Sequence, residues 1–191
     1  MLTLWDLIPK KRQRKLRSAV AAPSAPPAPV VSVEIPKAPP RRRPRENPAH
    51  RRYDEMARAV LAEHGIRVRK WRTSMSGVAW EVYYHDGKTV RLIESPRPRG
   101  PVSAAIFLHE VGHHAIGFYR YKPRCIEEMQ AWRWSLAEMQ RRNINITPRV
   151  RRRVVESLEY ALHKANRRGL KRIPAELVAY LDEMRAPITK D

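Results

Sequence analysis

The sequence predicts an α+β fold, in which a small antiparallel sheet packs on a buried helix and further helices follow. Three patterns carry this prediction. Apolar residues recur at helical spacing between residues 50 and 64, two stretches of alternating polarity come next, and an almost wholly apolar run spans residues 102 to 114. Amphipathic helical patterns fill most of the remaining chain. The length of 191 residues allows one domain of ordinary size and a tail.

Residues 1 to 49 are predicted to form a disordered, Pro/Arg-rich basic arm. Ten of the 17 prolines lie in this segment, with many lysines and arginines and few acids. Such a composition buries too little apolar surface to offset the chain entropy lost on folding. Its charged runs could contact nucleic acid nonspecifically, although such runs are more often solvated linkers. Residues 50 to 191 then form the folded domain, with a core at about 50 to 142 and packing helices at 147 to 185.

The first elements of the domain follow from local signals. A helix that starts near residue 50 should end at Gly65, and a half-buried strand should begin at Ile66. Asp86-Gly87 is expected to join two further strands, because Asp-Gly is the strongest short hairpin signal. Pro101 suits the first turn of the apolar helix. Together these signals predict an antiparallel sheet that lies against that helix.

Three more helices are expected after the apolar one. The first runs from about residue 124 to 142. Thr147 is a good N-cap for the second, Pro148 suits its first turn, and Gly169 is placed to stop it. A short third helix closes the chain. The last two helices have the pattern of packing elements and show no chemistry of their own.

The apolar helix ends in the pentad His109-Glu110-Val111-Gly112-His113. Residues four apart lie above one another on a helix, so the imidazoles of His109 and His113 can meet one metal ion. Glu110 is rotated by about 100° from His109. It is therefore not a ligand but could act as general base on a water activated by the metal. The simpler alternative is a pair of core histidines satisfied by hydrogen bonds.

A third metal ligand is expected from the following helix, where Glu127 and Glu128 are the candidates. Adjacent helical residues are 100° apart, so only one of them can face the metal. Glu128 falls on the apolar stripe that must pack inward, whereas Glu127 falls on the face expected to be wet. Glu128 is therefore the predicted ligand. The alternative is that both are ordinary first-turn acids favoured by the helix dipole.

Three residues next to the pentad could assist the site. His114 points about 100° away from His113 and is a poor ligand, so a satisfied core histidine is the expected role. Tyr119 and Tyr121 follow the helix closely and could donate a hydrogen bond to an oxyanion. Packing or surface tyrosines are the simpler interpretation.

The pentad and the segment 128–135, EMQAWRWS, resemble the gluzincin metallopeptidases, and among these most closely the compact ImmA/IrrE-type proteases. That family has a helix with the HExxH pentad after a small sheet, then a helix with a Glu-x-x-Ala pattern followed by an aromatic and a small residue. The resemblance covers about residues 50 to 142. It implies that Zn²⁺ is bound by His109, His113 and Glu128, and that Glu110 is the catalytic base.

The function implied by this resemblance is that of a zinc-dependent metalloendopeptidase. ImmA/IrrE-type proteins act on transcriptional repressors, so a DNA-bound regulatory protein is an expected substrate. A cytoplasmic location is also expected, because no apolar stretch approaches the roughly 18 residues of a membrane span and the N-terminal pattern is the reverse of a secretory signal. With Cys125 as the sole cysteine, a disulfide framework and a Cys-based zinc site are both excluded.

The charge of the chain supports an alternative from another class. Its net charge of +20 and isoelectric point near 11.0 suit an electrostatic contact with nucleic acid, and a compositional drift toward Arg, Ala and Pro is the competing explanation. A basic nucleic-acid-associated protein with a structural or inactive metal site is therefore the second hypothesis. The two hypotheses differ at the metal, because a structural zinc has four protein ligands whereas a catalytic zinc keeps one position open.

Overall fold

A computed structural model describes residues 47–187 of the chain. Within this range it has five helices and a three-stranded sheet, which confirms the predicted α+β class. The helices are α1 (Pro48–Glu63), α2 (Pro101–Ile116), α3 (Arg124–Arg141), α4 (Pro148–Arg167) and α5 (Ala175–Arg185). The strands are β1 (Ile66–Arg72), β2 (Val78–Tyr83) and β3 (Thr89–Pro96). The predicted disordered arm, apart from its last three residues, lies outside the described residues.

The signals for helix ends are confirmed. Gly65 follows α1 with φ of 61°, a left-handed conformation that suits glycine. The hydroxyl of Thr147 accepts a hydrogen bond from the amide of Val150 at 3.3 Å and so caps α4. Pro101 begins α2, and the hydroxyl of Ser103 accepts a hydrogen bond from the amide of Gly100. Local sequence therefore determines where these helices begin and end.

The prediction of an antiparallel sheet is wrong for one of its two strand pairs. Strands β2 and β3 form the expected antiparallel hairpin across Asp86-Gly87. Strand β1 does not pair with β2, however, but lies on the other side of β3, giving the order β1-β3-β2. Because β1 and β2 run in opposite directions, β1 is parallel to β3 and the sheet is mixed. Strand β2 is left at an edge of the sheet.

Helix α2 forms the centre of the domain. Every residue from Ser103 to His114 is buried, as its apolar pattern on all sides predicts. The helix packs mainly between β3 and α3, with β2 and α4 as further neighbours. The pentad therefore lies on a rigid and well-packed element, which suits side chains that must hold a fixed geometry.

Small residues allow α2 and α3 to approach closely. A Cβ atom added at Gly112 would lie 2.8 Å from the carbonyl oxygen of Ala131, so no larger side chain fits there. The hydroxyl of Ser135 on α3 donates a hydrogen bond of 2.8 Å to the carbonyl of Ala105 on α2, which joins the two helices. Glu128 lies one turn before Ala131, so this close packing brings its carboxylate to the pentad.

Helices α4 and α5 complete the core. Helix α4 buries Val150, Val154 and Leu158 at a spacing of four residues, and α5 packs against it. No helix within residues 47–187 is both long enough and apolar enough to cross a membrane. The predicted cytoplasmic location stays a prediction.

Candidate metal centre

Three predicted ligands converge at the junction of α2 and α3. The Oε2 atom of Glu128 lies 3.3 Å from Nε2 of His109 and 3.5 Å from Nε2 of His113. Each of the three residues offers one ligand atom, and these atoms all lie within 4.8 Å of one another. The structure therefore brings together the same three side chains that the sequence singled out.

These distances fit a zinc ion better than they fit hydrogen bonds. An N–H···O hydrogen bond usually spans about 2.9 Å, which is shorter than either contact. In a tetrahedral site with zinc bonds of about 2.0–2.1 Å, neighbouring ligand atoms are about 3.3 Å apart. The donor set of two imidazoles and one carboxylate is also one that zinc accepts. The residues present thus fit a zinc ion.

Aromatic rings hold both imidazoles in place. The ring of Trp132 stacks on that of His109, with centroids 4.2 Å apart and planes inclined by 20°. Phe118 stacks on His113 at 6.0 Å with planes inclined by 10°. Rings that are held in this way lose little further freedom when they bind a ligand, so the site is preorganised.

The interpretation of Glu127 as a wet residue is wrong. Its side chain is buried, one carboxylate oxygen accepts a hydrogen bond from the amide of Tyr119 at 3.0 Å, and the other lies 3.5 Å from Nδ1 of His113. A carboxylate at this position favours the tautomer of His113 that carries its proton on Nδ1 and leaves Nε2 free for a metal. Glu127 and Glu128 therefore contact the two nitrogens of one histidine.

The charges of the site attract a cation. Burial alone would lower the pKa of His113, but the carboxylates of Glu127 and Glu128 raise it to about 9. Burial likewise opposes ionisation of Glu128, yet its contacts with His109 and His113 hold its pKa well below the usual range. The other oxygen of Glu128 lies 3.6 Å from Nε of Arg124. Two ionised carboxylates thus favour a positive charge here, whether a proton or a metal ion.

Glu110 is buried beside the candidate ligands, and its pKa is shifted in the direction opposite to that of Glu128. Burial raises its pKa to about 8, although the positive charges of His113, Arg72 and Arg153 act in the opposite direction. A group whose pKa lies near neutrality can both accept and return a proton at physiological pH. The backbone of Gly77, just before β2, lies against the carboxylate, since a Cβ atom added there would lie 2.4 Å from Oε1 of Glu110.

The candidate metal site opens into a cavity of about 810 Å³. His109, Glu110, His113 and Glu128 line it together with the start of strand β2. Helix α4 contributes the cavity-lining residues Arg153, Ser157, Tyr160, Ala161, Lys164 and Ala165. A cavity of this size holds a small ligand or several residues of a peptide.

The chain matches no protein-family model, no curated protein and no solved structure.

Two residues weighed from the sequence take no part in the cluster. The Nε2 atom of His114 lies 3.1 Å from the carbonyl oxygen of Leu92, so this histidine is bonded to the sheet. Tyr119 is 74% exposed and does not line the cavity. The fold also places Gly77 and Arg153 at the site, although no local pattern marks them, and it brings Glu127, the alternative candidate ligand, to Nδ1 of His113.

Replacing Glu127 with glutamine is expected to weaken zinc binding by about 10- to 100-fold. The amide is neutral and no longer favours the Nδ1-protonated ring of His113, while the backbone contact with Tyr119 can be kept by the amide oxygen. The dissociation constant for zinc can be measured by competition with a chromophoric chelator.

Glu138→Gln is the matched control, because Glu138 is also a buried acid of α3. It lies about three turns further along the helix and bonds to Arg141 and Arg142 rather than to the site. This variant should bind zinc as the wild type does. Equal zinc affinity in Glu127→Gln and wild type would show that Glu127 does not orient His113.

Proposed function

We propose that the protein is a zinc-dependent metalloendopeptidase with His109, His113 and Glu128 as ligands and Glu110 as general base. The observation that carries the proposal is the convergence of three ligand atoms at the wall of a cavity, with Glu110 buried beside them. A structural zinc site would need a fourth protein ligand. Among residues 47–187 the cluster offers three, which favours an open, catalytic position.

A bound zinc ion and Glu110 would have different roles in peptide hydrolysis. A zinc ion bound here would polarise the substrate carbonyl and lower the pKa of a water toward about 7. Glu110 accepts a proton as the water oxygen attacks the carbonyl carbon, and later returns it to the departing amine. A peptide bound in the cavity that Glu110 lines would be held close to this carboxylate.

The proposal predicts hydrolysis that depends on the metal. Purified full-length protein should cleave casein, a substrate without a stable fold, at internal peptide bonds that mass spectrometry can identify. Treatment with a chelator should abolish cleavage, and one equivalent of Zn²⁺ should restore it while Mg²⁺, which prefers oxygen ligands, should not. Cleavage that persists in the fully chelated protein would contradict the proposal.

The substrate class proposed is a protein or peptide, with a DNA-bound regulatory protein such as a transcriptional repressor as the candidate that the family resemblance suggests. The net charge of +20 would favour encounter with proteins bound to DNA. The same charge supports the alternative of a nucleic-acid-associated protein with an inactive metal site. That alternative predicts salt-dependent DNA binding without any zinc-dependent hydrolysis.

A further inference from the structure

Arg153 lies on α4 and lines the cavity. Helix α4 carries none of the proposed metal ligands. Its Nη2 atom donates a hydrogen bond of 3.0 Å to the carbonyl oxygen of Met75, in the loop between β1 and β2. This bond links α4 to the loop that precedes β2, and residues of both line the cavity. Gly77, which lies against Glu110, is two residues further along the same loop.

The guanidinium of Arg153 has donors left over. Within the described part of the chain its only hydrogen bond is the one from Nη2 to Met75, which leaves Nη1 free to donate, and its buried Nε atom has no partner either. Among residues 47–187, no ion pair joins Arg153 to a carboxylate, whereas other arginines at the site, such as Arg72 and Arg124, are paired. A half-buried cation without a counterion costs stability. The unpaired guanidinium is therefore available to an anion that the folded chain does not itself supply.

Arg153 lines the same cavity as His109, Glu110, His113 and Glu128. A substrate bound in that cavity would contact both this cluster and the wall that carries Arg153. During hydrolysis the negative charge that develops there is carried by the former carbonyl oxygen of the substrate.

We propose that Arg153 is a further catalytic residue, whose guanidinium donates a hydrogen bond to the oxyanion of the tetrahedral intermediate. As the water oxygen bonds to the carbonyl carbon, its proton goes to Glu110 and the carbonyl π pair moves onto the oxygen that faces Arg153. When the C–N bond breaks, this pair reforms the carbonyl and Glu110 protonates the amine. Arg153 remains charged throughout, and no oxidant or further reactant is needed. This inference rests on the proposed peptidase function.

The role predicts a specific kinetic pattern. Loss of one oxyanion donor lowers kcat by about 10²- to 10³-fold, because the interaction exists only after the carbonyl is attacked. Arg153→Met should show this loss on the casein peptide that the wild type cleaves fastest, with KM changed by less than about threefold. Zinc content should be unchanged. Arg152→Met, an exposed neighbour on α4, is the matched control and should behave as wild type.

A second measurement does not depend on turnover. A phosphinic tripeptide of alanine carries a tetrahedral anion in place of the scissile bond, and its affinity for the zinc-loaded protein can be measured by calorimetry. Arg153→Met should bind it about 100-fold more weakly than wild type does. Arg153→Lys keeps the charge but lacks the planar fork, so it should lie between the two. If Arg153→Met does not fold, the affinity of Arg153→Lys for the phosphinic peptide tests the role of Arg153 by itself.

The outcomes separate this inference from the proposed function. Full kcat and full phosphinic affinity in the Arg153 variants of an active protein would overturn the role of Arg153 alone. An increase confined to KM would also overturn it, because Arg153 would then bind a ground-state group of the substrate. A zinc-loaded wild type that neither cleaves casein nor binds the phosphinic peptide would overturn the peptidase function and this inference together.

Discussion

Replacing Glu110 with glutamine is expected to lower kcat by about 1,000-fold while the zinc content stays the same. Glutamine has the shape of a protonated glutamate but cannot accept the proton of the attacking water or return it to the amine. The fold should tolerate the change, because burial already raises the pKa of Glu110 to about 8 and keeps it mostly protonated at pH 7 before metal binds. Thermal unfolding should therefore differ little from that of the wild type.

Casein cleavage, zinc content and circular dichroism of Glu110→Gln should be measured side by side with those of Glu55→Gln. Glu55 is an exposed acid of α1, so its variant should keep full activity. Retained hydrolysis in a zinc-loaded Glu110→Gln protein would remove Glu110 from the mechanism. Loss of zinc in the same variant would instead make Glu110 a ligand, contrary to the geometry described above.

The second large effect is expected from a single methyl group at Gly77. The Cβ atom of alanine would lie 2.4 Å from Oε1 and 2.6 Å from the carboxyl carbon of Glu110, which is far closer than atoms can pack. The easiest relief is rotation of the Glu110 side chain away from Gly77. Since a displacement of about 1 Å at a reacting group can cost 10²-fold in rate, we expect kcat to fall by about 100-fold.

The zinc content of Gly77→Ala should remain that of wild type, because no metal ligand is displaced. Gly100→Ala is the matched control, since a Cβ atom there meets no other atom within 4 Å and its φ of −173° suits any residue. Full activity in Gly77→Ala would show that Glu110 does not need its present position to act as the base.

The parts of the structure that the sequence predicted are those determined by neighbours in the chain. Helical periodicity, the cap at Thr147 and the glycine at residue 65 act within a few residues, so the helices could be placed from these signals. The pentad puts His109 and His113 on one face because the helix period requires it. The burial of this helix was also predicted, because its sequence is almost wholly apolar.

Elements that depend on distant contacts were not predicted. The hairpin of β2 and β3 was recognised from Asp86-Gly87, but nothing in the sequence of β1 says on which side of that hairpin it pairs. Glu127 was assigned to the wet face because a helical wheel compares residues of one helix only. The backbone at Tyr119, in the turn between α2 and α3, covers that face and buries the carboxylate.

Arg153, the proposed oxyanion donor, illustrates the same limit. It lies 40 residues after His113 in a chain with 29 arginines, and no motif separates it from the others. Only the packing of α4 against α2 and α3 brings it to the cavity. Its uncompensated charge is a property of the folded surroundings, which composition and spacing do not contain.

The central claim is a zinc ion held by His109, His113 and Glu128, and zinc content tests it most directly. Elemental analysis of wild type, His113→Ala and Glu128→Ala after equal exposure to zinc and dialysis should give about one ion per chain for the wild type. Both variants should be nearly free of zinc, because two remaining ligands bind too weakly to survive dialysis. Full zinc in Glu128→Ala, or a wild type that retains none, would contradict the claim.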